Sequence, residues 1–323
     1  MRNRSQHARF LALACVLAIT LLPSRPAESA APQQLTQAPG YYRLKVGKIE
    51  VTALNDGSFM MPVGQMLKGI SADALHAALT RAFLTDPMEL SDNGFLINTG
   101  THLVLVDTGS GAFYGPSFGR LAENLKAAGY TPEQVDEVYI THMHADHLGG
   151  LVANGKAVFT HAVVRAAEAE GDYWLDPKNA EAAPTESKGF FSIASQSMSP
   201  YIAAGRYKPF KTDIELVPGV RAINTPGHTP GHTAYLVSSE GESLILWGDL
   251  MHVAAVQVPD PTIAFLYDVE SQAANAQRIR IFSEAASKRS LVGGAHLPFP
   301  GLGHLRANGS GFEYAPTNYT TLQ

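Results

Sequence analysis

Six residues near the middle of the chain restrict what it can become more than any other stretch: His142-Met143-His144-Ala145-Asp146-His147. They follow directly on Val138-Tyr139-Ile140, an apolar run that reads as a buried strand. His142 and His144 stand at i and i+2, so extended backbone sends both rings to one side. The chain must then turn, which lets Asp146 and His147 approach the same space from the other flank. A chance run of polar residues on a surface loop explains two neighbouring donors readily, but four at this spacing poorly. Imidazole with carboxylate suits zinc, iron, manganese or cobalt. Two clusters of donors point to two ions.

At 323 residues, with 45% apolar and 16% charged content, the chain can bury one large core or two small ones. Strand patterning covers Tyr42–Leu44 and Ile49–Leu54, the latter ended by the turn signal Asn55-Asp56-Gly57. Phe95–Thr99 and His102–Val106 read as a hairpin around Gly100-Thr101. Further strands are expected at Ala157–Thr160, Val220–Asn224, Ala234–Ser238, Leu244–Trp247 and Leu291-Val292. Helices are expected at Ala72–Phe83, Leu121–Ala128, Ala162–Ala169 and Glu270–Ser287. Residues 171–212 show no clear period and read as a long, irregular, aromatic-rich segment of the kind that usually carries function. Pattern alone gives a mixed α/β domain.

Residues 1–31 read as a processing segment. Arg2, Arg4 and Arg9 precede the apolar run Phe10–Leu22, which falls short of the roughly 20 residues a membrane span needs but suits a secretory signal. Small residues at Ala27, Ser29, Ala30 and Ala31 would allow cleavage after Ser29 or Ala31. The remaining domain, 32–323, would then lie in the periplasm or outside the cell, with no membrane attachment. Cys15 is the sole cysteine and falls within the leader, so that domain has no disulfide and no thiol nucleophile. Cleavage after Ser29 removes four arginines and one glutamate, taking the net charge from −5 to −8. So acidic a domain is poorly suited to holding nucleic acid by phosphate neutralisation; a small-molecule substrate is expected.

His-x-His-x-Asp-His resembles the signature of the metallo-β-lactamase superfamily of dinuclear metallohydrolases. The family places three more ligands downstream, and matching residues occur in order as His228 in Pro226-Gly227-His228-Thr229, Asp249 in Trp247-Gly248-Asp249-Leu250 and His296 in Gly294-Ala295-His296-Leu297. The chain is also similar to methyl parathion hydrolases, secreted members of the superfamily, at Ala38–Arg43, Leu103–Gly109, Asn124–Gly129, Ser187–Phe191 and His296–His304. This resemblance implies a four-layer αβ/βα sandwich, a dinuclear site at the edge between two sheets, and a homodimer. It implies that His142, His144 and His228 hold one divalent ion, Asp146, His147 and His296 the other, and that Asp249 bridges them. Zinc is the first expectation, with iron, manganese and cobalt also suited. His232, four residues after His228, is passed over because alignment with the family favours His228.

Five neutral imidazoles, two carboxylates and a bridging hydroxide would leave such a centre with one net positive charge. That suits hydrolysis, in which negative charge gathers on oxygen, and needs no serine or cysteine nucleophile. The expected substrates are organophosphate triesters and aryl esters; the alternative is a lactonase acting on acyl-homoserine or aryl lactones. Asp107, closing a strand in Val-Asp-Thr-Gly, is either a turn former or a carboxylate that fixes a ligand histidine's tautomer. Tyr114, Trp174, Phe190 and Phe191 fall at or beside positions where methyl parathion hydrolases ring the leaving group with aromatics, plain core being the competing reading. Phe113-Tyr114 departs from that family's pattern of an aliphatic residue followed by Phe. His7, His76, His102, His161, His252 and His304 read as ordinary histidines.

Overall fold

The computed structural model describes residues 31–185, 187–211 and 213–322; the expected signal segment and Cys15 lie outside the described residues. Residues up to Gln37 form one unit and Ala38–Gln323 another, and the latter holds the elements described here. Its first sheet runs in chain order: β1 (Tyr41–Val46), β2 (Ile49–Met61), β3 (Met88–Asn98), β4 (Leu103–Val106), β5 (Glu137–Tyr139) and β6 (Val163–Arg165). The second does the same: β7 (Glu215–Val217), β8 (Val220–Asn224), β9 (Thr233–Ser239), β10 (Glu242–Leu246), β11 (Leu291–Gly293), β12 (Leu302–Asn308) and β13 (Gly311–Pro316). The β4–β5, β5–β6 and β10–β11 pairs are parallel and the rest antiparallel.

Period-two alternation builds the layers. Val104 and Val106 of β4 face a core shared with Val237, Leu244 and Leu246 of the second sheet. Leu105, between them, faces the helices outside the first sheet, with Leu121, Leu125 and Met198. Ile245 likewise points outward, to Ile281 and Phe282. Both faces of each sheet are therefore buried, and the result is the four-layer αβ/βα sandwich. Its helices include α1 (Ala72–Arg81), α2 (Leu121–Ala127), the single turn α3 (Ala145–Leu148), α4 (Glu168–Trp174), α5 (Pro177–Ala182), α6 (Lys188–Ala203) and α7 (Ser271–Lys288). Among the described residues no helix is long and apolar enough to cross a membrane.

Three local expectations are corrected. Asn55-Asp56-Gly57 does not end its strand: β2 runs on to Met61 through a bulge opposite Asp92. The buried Asp56 carboxylate accepts N–H bonds from Ser110, Gly119 and Leu121 at 2.9–3.0 Å, so it organises a distant loop and not a turn of its own. The alanine-rich 162–169 segment holds a strand, Val163–Arg165, because parallel pairing with Glu137–Tyr139 outweighs alanine's helix propensity. Residues 171–212 are largely helical. Phe191, Ala194, Met198 and Tyr201 make a helical stripe into the core, hidden in the sequence by intervening Ser, Gly and Pro. The closing hairpin, β12–β13, has no counterpart in the sequence expectations.

Candidate metal centre

β8, β10 and β11 run the same way in the second sheet, so their carboxyl ends share one edge. The segments leaving them carry His228, Asp249 and His296, while the segment leaving β5 carries His142, His144, Asp146 and His147. All seven residues converge. His142, His144, His228 and Asp249 form one group that could hold a metal ion, and Asp146, His147, Asp249 and His296 a second, each with ligand atoms within 4.8 Å of one another.

In the first group His144 Nδ1 lies 3.0 Å from His142 Nε2 and 3.2 Å from His228 Nε2. Asp249 Oδ2 lies 3.5 and 3.4 Å from His142 and His228 Nε2. In the second, Asp249 Oδ1 lies 3.1 Å from His147 Nε2 and 3.2 Å from His296 Nε2, with Asp146 Oδ2 at 3.8 and 3.6 Å from the same two nitrogens. The two oxygens of Asp249 thus serve one group each.

The outward nitrogens are anchored. His147 Nδ1–H donates to Asp107 Oδ2 at 2.8 Å, His228 Nδ1–H to Asp268 Oδ1 at 2.9 Å, and His296 Nδ1–H to the Ser91 carbonyl at 2.9 Å. Asp107 also accepts the Thr141 N–H and hydroxyl, both at 2.8 Å. These bonds fix the tautomers and aim the Nε2 lone pairs inward. Of the two readings of Asp107, its geometry matches the carboxylate behind a histidine.

The donor set fits divalent ions. His147 Nε2 and Asp249 Oδ1 are buried without a hydrogen-bond partner, an arrangement that burial penalises unless a cation resolves it. Neutral imidazole and carboxylate are zinc, iron, manganese or cobalt donors. Burial, reinforced by neighbouring imidazoles, holds His142 and His144 well below the ordinary histidine pKa and therefore neutral. Burial also pushes His147 and His296 down, but facing carboxylates win: Asp249, Asp107 and Asp146 hold His147 well above its usual value, and Asp249 and Asp146 raise His296 to about 9.

A pH dependence follows. At pH 7 the metal-free chain holds protons on nitrogens that must be bare to ligate, so zinc should displace them. Affinity at the second group should fall as pH drops below about 9, where the His296 proton competes. Calorimetric zinc titration in two buffers of different ionisation heat should find at least one proton released per chain at pH 7. No release would contradict this assignment.

Two histidines that the sequence reading passed over also touch the centre. His232 accepts the Asp249 N–H on Nε2 at 3.0 Å, and its Nδ1 lies 2.8 Å from Thr225 Oγ1; it braces the backbone that presents Asp249. Burial keeps it neutral, lowering its pKa to about 3. His252 is not the ordinary histidine expected. Its Nε2 lies 3.0 Å from Asp249 Oδ2, and its ring stacks on Phe265 with centroids 3.7 Å apart. The signal for it was the spacing Asp249-x-x-His252, which places the two within one turn.

A cavity of about 340 Å³ opens over the centre. Phe59, Met61, Phe118, Phe190 and Phe265 line it, and Tyr114 and Tyr267 stand at its mouth, each about two-fifths exposed. Of the four aromatic residues expected here, Tyr114 and Phe190 line the cavity. Trp174 and Phe191 are corrected: both are 4% exposed and packed in the core, Trp174 edge-on behind His144. The helical turn at 188–191 points adjacent Phe190 and Phe191 in different directions.

The two phenylalanine–tryptophan roles separate by measurement. Phe190→Ala should cost aryl substrates about 1–3 kcal/mol in kcat/KM, roughly 5- to 150-fold, with little change in stability. Trp174→Ala should destabilise the fold by about 3–5 kcal/mol. Melting curves beside kcat/KM check both; a stable, aryl-selective defect in Trp174→Ala would reverse the assignment.

A pair of histidine-rich groups sharing one carboxylate, at the edge of an αβ/βα sandwich, fits metal binding of the kind that hydrolysis uses. The chain belongs to the metallo-beta-lactamase superfamily, whose model matches residues 89–301, and it is a metal-dependent hydrolase. It is similar to a solved hydrolase, AbOPH in the beta lactamase superfamily, at 35% identity and TM-score 0.85, covering 88% of this chain and 100% of that one. A second similar structure is AidC, a dizinc quorum-quenching lactonase in complex with the product N-hexanoyl-L-homoserine (27% identity, TM-score 0.81, 87% and 99% covered). An N-acyl homoserine lactonase of Bacillus sp is 29% identical over 207 residues, spanning 58% of this chain and 72% of the relative.

Proposed function

We propose that the chain opens the ester bond of lactones of the N-acyl homoserine lactone kind, adding water to give the hydroxy acid. The supporting observation is the double group on Asp249, in a chain whose similar structure AidC carries a ring-opened product of that kind. This ranks the lactone above the organophosphate triester expected from sequence, since similar proteins are named as N-acyl homoserine lactonases.

His142, His144, His228 and Asp249 would hold one ion, and Asp146, His147, His296 and Asp249 the other. The ions supply Lewis acidity and lower the pKa of water. The chain's own residues do the rest. Asp249 fixes the spacing of the two groups. Asp146, the more exposed of the two carboxylates and part of the cavity wall, receives the proton of the attacking water and returns it to the ring oxygen as the ester bond breaks. The apolar rings hold the acyl or aryl portion and exclude water around it.

Aryl esters and phosphotriesters are the second reading, favoured by the aromatic wall of Phe59, Phe118, Phe190 and Phe265, which suits a flat leaving group. We also propose export to the periplasm or medium and assembly as a homodimer, on the leader's composition and the family resemblance. The test is a panel on zinc-loaded protein: N-hexanoyl-homoserine lactone, an aryl lactone, a p-nitrophenyl ester, a dimethyl aryl phosphotriester and nitrocefin. Highest kcat/KM on a lactone is expected; a phosphotriester ahead of both lactones would overturn the order.

A further inference from the structure

Glu170, on α4, is a fully buried acid outside the seven-residue set. Its two oxygens reach two different loops. One accepts the Met143 N–H at 2.8 Å, between His142 and His144. The other accepts the Thr229 hydroxyl and the Gly231 N–H, both at 2.8 Å, on the loop that carries His228. All three imidazoles of the first group therefore hang from segments joined through one carboxylate. Glu170 makes no bond to the second group, which is anchored through the Ser91 carbonyl and through Asp107, the latter also holding Thr141 beside His142.

We infer that Glu170 is a positioning residue that sets the first half of the centre, fixing the His142–His144 arm against the His228 arm and so the affinity for one of the two ions. The inference rests on the seven residues holding metal, and not on which substrate is cleaved. Burying a carboxylate is costly, so a glutamate here needs a compensating return. Three charge-assisted bonds supply it, and a neutral side chain of the same shape cannot make them. Glutamine would turn one end into a donor. At the first oxygen it would face the Met143 N–H, at the other the Gly231 N–H; either way one backbone donor is stranded. The approach is also too close to adjust: a Cβ on Gly231 would lie 2.2 Å from the Glu170 nitrogen.

The test is zinc content, by elemental analysis of full-length protein equilibrated against a series of buffered zinc concentrations. Wild type should hold two ions. Glu170→Gln should keep one at wild-type affinity and bind the other about 10- to 100-fold more weakly, the usual cost of losing an outer anchor. Adding His296→Ala to Glu170→Gln should remove the surviving ion, whereas adding His228→Ala should not. Asp107→Asn, which loosens His147 and the Thr141 segment beside His142, should weaken both halves, the second the more. Should Glu170→Gln fold poorly, Thr229→Val removes one of the three bonds and should weaken the same ion more mildly. A merely structural acid would lower melting temperature while leaving the two affinities in their wild-type ratio. That ratio, whether both ions are kept or both are lost equally, overturns the inference. A wild-type chain holding fewer than two ions would instead refute the metal centre itself.

Discussion

Asp249→Asn should abolish hydrolysis, by at least about 10³-fold in kcat, and leave the chain with one zinc ion or none. The side chain keeps its shape but cannot serve both groups, because one oxygen becomes an amide nitrogen with no lone pair for a metal. Oδ1 faces His147 and His296, and Oδ2 faces His142, His228 and His252, so either orientation of the amide strips one half. The lost negative charge compounds this. In wild type the surrounding imidazoles hold the Asp249 pKa well below the carboxylate range, against the burial that would raise it, so the charge is present at every working pH. Without it the site would have less negative charge to set against two divalent ions. His232→Ala tests the same carboxylate from behind: it releases the Asp249 N–H and should weaken both ions without removing either. Elemental analysis beside initial rates checks both variants, and two ions in Asp249→Asn would refute its bridging role.

A stability effect as large as that of Trp174→Ala should come from Arg278→Met. Arg278 is fully buried on α7. It donates to the carbonyls of Leu250, Pro261 and Ile263, the latter two at 2.9 and 2.8 Å, and lies 3.9 Å from Asp268 Oδ2. Asp268 in turn holds His228 and the Phe265 N–H. One guanidinium thus gathers the loop that runs from Asp249 to the start of α7. Methionine fills the space but strands the Leu250 and Pro261 carbonyls, takes one of two donors from the Ile263 carbonyl and removes the cation beside Asp268, at a cost of about 3–5 kcal/mol. Against a total stability of about 5–15 kcal/mol, that is a large fraction. A shifted urea midpoint at constant slope measures it; a loss below about 1 kcal/mol would show that water replaces the guanidinium.

His142, His144, Asp146 and His147 were legible because they stand within six residues behind an apolar strand; His228, Asp249 and His296 were marked only by the family resemblance. The partners behind them were not. Glu170 bonds residues 27 and 61 positions away, and Asp268 one 40 positions away, so no local period announces them. Asp107 was legible by halves: its place at a strand end was plain, but only the fold decides between turn and anchor. The helices of 168–203 escaped notice for a related reason. Ser, Gly and Pro lower helix propensity there, and packing of Phe191, Ala194 and Met198 on the first sheet outweighs it. At Asn55-Asp56-Gly57 the same logic ran the other way, and a strong local turn signal gave way to long-range bonds from the loop at 110–121. Trp174 and Phe191 were placed at the cavity by resemblance alone; both pack in the core, Phe191 pointing roughly 100° around its helix from Phe190.

The most direct measurement is a zinc titration of chelator-stripped protein, with ring opening of N-hexanoyl-homoserine lactone followed by mass spectrometry. A dinuclear lactonase predicts no product without metal and a rate that climbs until two ions are bound per chain. Ring opening that survives removal of the metal, or a fully reconstituted two-zinc protein that leaves the lactone intact, would contradict the account.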